Sequence, residues 1–98
     1  MSKFGDLIDV KIPVLLYFFT EWNEQSTAMH PVLRDVAAAL GDKAKVIKID
    51  ADKNKELSEA LRVKALPTLI IYKDGEMKWR QSGEQDSGTL IDLIKDFV

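Results

Sequence analysis

A chain of 98 residues allows one domain around one hydrophobic core, since chains split only beyond about 250 residues. Hydrophobic residues at 46% and charged residues at 31% form an ordinary globular balance, which excludes a disordered, collagenous or low-complexity chain. With 14 Lys and Arg against 16 Asp and Glu, a net charge of -2 and no cysteine, the chain offers no basic field for nucleic acid, no disulfide and no thiolate for catalysis or metal binding.

In chain order, Phe4, Leu7 and Ile8 stand at helical spacing and predict a short helix over residues 4–10, closed by Ile12 and Pro13. The opening residues lack the apolar core of a signal peptide, so a cytoplasmic protein is the expectation. Val14 to Phe19 is a continuous apolar run rich in aromatics, which suits a central strand covered on both faces. As the longest apolar run, it is far short of the roughly 20 residues that span a membrane.

Between residues 24 and 40 the apolar positions Ala28, Met29, Val32, Leu33, Val36, Ala37 and Leu40 fall on one helical stripe. Asn23 stands where an N-cap belongs and Gly41 where the chain leaves the helix, while Pro31 removes one ladder hydrogen bond and should kink the middle. Residues 45–50 form the next strand, and strand, helix and strand in this order predict a right-handed parallel crossover.

A shorter helix over residues 55–61 turns Leu57, Ala60 and Leu61 inward, and Pro67 precedes a third strand, residues 68–72. Asp74 and Gly75 both tolerate positive φ and signal a two-residue hairpin, so the strand 76–81 returns antiparallel. Met77 and Trp79 alternate with Lys78 and Arg80, as expected of a half-exposed edge. The last helix, residues 87–97, buries Leu90, Ile91, Ile94 and Phe97, with Asp86 or Ser87 as its cap.

This order, with Glu21-Trp22 ending the first strand and Leu66-Pro67-Thr68 opening the third, resembles the thioredoxin family from about Pro13 to the end. Pro31 within the long helix, Lys48, Asp52, the hairpin Lys73-Asp74-Gly75-Glu76 and Gly83 agree as well. Only 12 residues precede Pro13, too few for the family's usual first strand and helix. The resemblance therefore implies an α/β fold with a four-stranded mixed sheet in the order 45–50, 14–20, 68–72, 76–81, flanked by helices.

The departure lies at the active-site bend. Where the family carries Trp-Cys-Gly-Pro-Cys, this chain has Trp22-Asn23-Glu24-Gln25-Ser26. Thiol-disulfide exchange needs one thiolate to attack and a second thiol to resolve the mixed disulfide, and neither Asn23 nor Ser26 supplies one. The family's buried acid on the central strand matches Tyr17, so the proton relay is missing too. Asn23 can cap the helix and Glu24 can place negative charge at its positive end, so one reading is that the bend is now only a helix cap.

The other reading is a binding groove. In the family the bond before the matching proline is cis and leaves the preceding backbone free to pair with an extended substrate chain. By position that groove would be lined by Trp22, Asn23, Glu24, Gln25, Ser26, Ala51, Ala65, Leu66, Pro67, Ser82, Gly83 and Glu84, with Trp22 as apolar anchor. The implied partner is a protein or extended peptide segment. The alternative is that a cis bond persists only because the fold was built around it.

Other candidates carry less. Ser26 and His30 are four apart and share a helix face, but neither an orienting acid nor an oxyanion hole is nominated; an ordinary helix histidine is the competing reading. Asp50, Asp52 and Asn54 have the first spacings of a calcium loop, yet Lys55 stands where Gly is needed and Leu61 where a bidentate Glu belongs. One histidine without cysteine leaves no transition-metal set, and no cofactor is expected. Tyr17 can meet Lys48 across two strands, or bury its ring and satisfy its hydroxyl on backbone or water.

Two further functional readings stand beside a non-catalytic binding module. One is a member of a thiol-disulfide redox system whose cysteines come from a partner, and the other is a structural subunit of an assembly. The sequence leaves the oligomeric state open.

Overall fold

The computed structural model describes residues 3–98. Its elements are α1 (Lys3–Ile8), β1 (Val14–Phe19), α2 (Glu24–Ala28), α3 (His30–Leu40), β2 (Lys45–Asp50), α4 (Lys55–Ala60), β3 (Thr68–Lys73), β4 (Glu76–Ser82) and α5 (Ser87–Lys95), with one 3-10 turn between α3 and β2. The four strands form a mixed sheet in the order β2-β1-β3-β4, with β1 parallel to β2 and antiparallel to β3, and β4 antiparallel to β3. This is the thioredoxin-like sheet that the resemblance implied.

Burial follows strand position. β1 and β3 are buried almost throughout, as their unbroken apolar runs require, whereas β2 and β4 at the edges are partly exposed. On one face Leu15, Tyr17, Leu69 and Ile71 pack against Leu33, Val36 and Leu40 of α3 and Leu90 and Ile94 of α5. On the other, Val14, Leu16, Phe18, Ile70 and Tyr72 meet Ile8 of α1, with Leu57 of α4 packed beside them. The result is a sheet between two helical layers.

Four local expectations are corrected. The first helix closes at Ile8, because the Ile8 and Val10 carbonyls accept the Gly75 and Asp74 amides at 3.0 and 2.9 Å and so hold that segment against the β3–β4 turn. Asp74 and Gly75 there have φ of 54° and 78°, the positive pair a two-residue hairpin demands. The long helix is two helices broken at Met29, whose amide bonds back to the Ser26 and Thr27 carbonyls; Pro31, near the start of α3, has no amide to continue the ladder.

The third correction concerns β4. Its register shifts between Ile71, opposite Trp79, and Tyr72, opposite Met77. Lys78 is the extra residue of a bulge, and Met77 and Trp79 therefore lie on opposite faces, although their spacing predicts one face. Trp79 packs with the α3–α5 core, while Met77 is 44% exposed. The last helix ends at Lys95, two residues before the expected boundary.

A guanidinium fork joins the sheet to α4. Arg80 of β4 donates to the Leu61 and Arg62 carbonyls, the latter at 2.7 Å. These carbonyls follow α4, where Arg62 takes a φ of 56° and the Val63 amide returns to the Ser58 carbonyl at 2.8 Å. The left-handed residue and the fork together satisfy acceptors that a helix end leaves over.

Candidate functional site

Strand register gathers the predicted groove at one end of the sheet. Phe18 lies opposite Thr68, and Thr68 opposite Ser82. The chain leaving β1, the segment entering β3 and the end of β4 are consequently neighbours. β2 ends there too, with the Ala51 amide donating to the Phe19 carbonyl at 2.8 Å.

The bend begins with a turn, Asn23 N–H to Thr20 carbonyl at 3.3 Å. Asn23 then caps α2 from an extended backbone (φ -96°, ψ 115°), its Oδ1 accepting the Ser26 amide at 2.8 Å. This is the cap that the sequence predicts, and it brings Glu24 into the first helical turn, where the dipole favours its charge. Gln25 is exposed, whereas Ser26 is fully buried and its Oγ has no hydrogen-bond partner among the described residues.

Trp22 is 72% exposed, yet its Nε1–H donates to Asp52 Oδ2 at 2.7 Å. Asp52 is itself held in a tight loop, because Asp50 Oδ1 accepts the Asp52 and Lys53 amides and the Asp50 carbonyl accepts Asn54 Nδ2. The acidic spacing examined for calcium thus builds an Asx turn that positions a tryptophan.

Across the bend the Leu66–Pro67 peptide is cis. Thr68 Oγ1 donates to the Ala65 carbonyl at 2.5 Å and lies 3.1 Å from Ser82 Oγ, and the Gly83 amide donates to the Pro67 carbonyl at 2.8 Å. Gly83 has a φ of 95°, where a side chain would be strained. Pro67 is buried and Leu66 half-buried, and among the described residues nothing hydrogen-bonds the Leu66 backbone. Glu84 is exposed on the loop that follows.

Behind the bend lies an aromatic cluster. Tyr17 stacks on Phe19 with centroids 5.4 Å apart, and the His30 ring stands edge-on to both, at 5.6 and 5.1 Å. The Tyr17 hydroxyl is buried and finds neither Lys48 nor a backbone group. Burial pushes the phenol pKa up to about 12. Burial, with the Lys48 and Arg34 charges, lowers the His30 pKa, against a smaller upward pull from Glu21. His30 Nδ1 is unpartnered as well, so Ser26 and His30 form no nucleophile–base pair; the break at Met29 removes the single helix that would align them.

One wall of the site shares only Glu84 with the groove positions that the resemblance implies. A concavity of about 380 Å³ opens between the α2–α3 joint and the loop before α5, lined by Ala28, Met29, Val32, Glu84, Gln85 and Asp86. The Gln85 amide meets Met29 Sδ at 3.4 Å across a separation of 56 residues, a juxtaposition without a local signal.

A thioredoxin family model matches residues 1–96 of the chain. The chain belongs to the thioredoxin family. It is 36% identical over 95 residues to the chloroplastic thioredoxin Y of Oryza sativa, covering 96% of this chain but 56% of that protein. The thioredoxin of Rickettsia prowazekii is 28% identical over 94 residues, covering 96% and 90% respectively. A mutant thioredoxin from Halobacterium salinarum superposes with a TM-score of 0.87 at 32% identity, covering 99% of this chain and 84% of its own. Within this thioredoxin fold the chain holds no cysteine.

Proposed function

We propose that this thioredoxin-fold chain is a non-catalytic binding module that takes an extended protein segment across the groove between Trp22 and Leu66. The observation that carries the reading is the sulfur-free bend. Asn23 uses its side chain to cap α2, and with no cysteine in the chain there is neither a thiolate to attack a disulfide nor a thiol to resolve one. What supports a contact role is an exposed indole pinned by Asp52 and a Leu66 backbone without hydrogen bonds among the described residues. An edge of backbone beside an apolar anchor is the arrangement by which extended peptides add as a strand.

Two measurements test this reading. Dithiothreitol-coupled insulin reduction should run no faster with the purified chain than without it, and any protein-dependent turnover would overturn the non-catalytic assignment. A random-peptide phage library panned on the intact protein should return peptides whose binding is lost in Trp22→Ala and in Leu66→Asp variants that still fold. Selected peptides indifferent to both changes would place binding elsewhere.

A further inference from the structure

The acidic character of the groove is uneven along the sequence. Overall the charges nearly balance, at 14 against 16. Yet the segments 12–33 and 81–94, which carry the bend, the start of α3 and the loop before α5, contain Glu21, Glu24, Glu84, Asp86 and Asp92 and no Lys or Arg. Of the other groove segments, 51–54 adds Asp52 and Lys53, and 64–67 adds Lys64.

Two of these acids stand on the rim of the concavity beyond Glu84. Its apolar side is exposed Ala28 and half-buried Val32, backed by the fully buried Met29, whose thioether accepts the Gln85 amide. Glu84 is exposed and engages no partner among the described residues. Asp86 Oδ1 accepts the Thr89 amide at 2.7 Å, which lowers its pKa and keeps the carboxylate charged. An apolar trough with a carboxylate rim matches a side chain with a long aliphatic stem and a cationic head. A purely apolar side chain there would cover carboxylates without pairing them, and an acidic one would be repelled.

We propose that the segment bound in the groove carries a Lys or Arg whose stem lies on Ala28 and Val32 and whose charged head meets Glu84 and Asp86. The inference rests on the groove reading above and specifies the chemistry of its partner. The test uses the peptides selected by phage display on the intact protein at physiological ionic strength. A basic residue should recur at a fixed distance from the part of the peptide that needs Trp22. Replacing it by norleucine should weaken binding about tenfold or more, the range of a charge-assisted hydrogen bond.

Glu84→Lys should cause the same loss with the basic peptide and none with its norleucine form, and raised salt should weaken only the former. Glu84 is an exposed loop residue, and an unchanged thermal melt verifies that this variant folds. Peptides that need Trp22 but ignore Glu84→Lys would overturn this inference and leave the groove standing. A library that yields no binder above background would overturn both.

Discussion

The indole Nε1–H of Trp22 donates to Asp52 Oδ2 at 2.7 Å, a hydrogen bond that links the end of β1 to the loop after β2. It fixes a side chain that is otherwise 72% exposed. A rigid aromatic loses little entropy on binding, which suits an anchor. Removing the acceptor by Asp52→Ala should free the indole. In a Trp79→Phe background the remaining tryptophan should lose fluorescence anisotropy, while stability falls by no more than about 1 kcal/mol. An unchanged anisotropy would show that Asp52 does not hold the ring.

Asn23 tests what holds the start of α2. Its Oδ1 accepts the Ser26 amide at 2.8 Å, so Asn23→Ala should cost about 1 kcal/mol in urea unfolding, and Asn23→Asp or Asn23→Ser should restore most of it. If Ala is neutral, the cap contributes nothing to stability and the backbone bonds of the bend suffice.

The Arg80 fork predicts a larger effect. Arg80→Ala leaves the Leu61 and Arg62 carbonyls without their donor and should cost about 1.5–3 kcal/mol, the range for hydrogen bonds to a charged group. Arg80→Lys should recover only part, because an ammonium cannot reproduce the planar fork. Nearby, Arg62→Gly should be stabilising by up to about 1 kcal/mol, since φ is 56° there and glycine accepts that conformation at less cost. Hydrogen exchange of the α4 amides would localise both effects.

His30 gives the fold a pH dependence. Burial, Lys48 and Arg34 lower its pKa from the usual 6.5, with Glu21 opposing, so the folded state favours the neutral ring. The unfolded chain binds the proton more readily, and the stability that His30 contributes is complete above 6.5 and lost as pH falls through the lower folded value. Unfolding free energy measured from pH 7 to 5 should decline, and His30→Gln should flatten that portion of the curve. An identical slope in the variant would assign the decline to other groups.

Tyr17 carries a buried hydroxyl without a hydrogen-bond partner among the described residues. Tyr17→Phe keeps the ring stacked on Phe19 and edge-to-face with His30 and removes the desolvated oxygen, so it should be neutral or stabilising, by up to about 1–3 kcal/mol. Marked destabilisation would mean that the hydroxyl is satisfied in solution.

The sequence by itself determined what depends on neighbours along the chain. The apolar run of β1, the positive-φ pair at Asp74 and Gly75, the Asn23 cap and the absence of sulfur at the bend all act within a few residues. The groove positions are a different matter: resemblance to a family supplied them, and strand register then placed their segments at one end of the sheet. What tertiary structure alone decided involves residues distant in sequence. The Arg80 fork closes over 18 and 19 residues and the Gln85–Met29 contact over 56; the Lys78 bulge turns Met77 away from Trp79; and Tyr17 is left beside His30 and unpaired with Lys48. Periodicity records which face a side chain takes on an ideal element. Bulges, helix breaks and pairings across the core depend on how the elements pack, and packing follows from the whole chain at once.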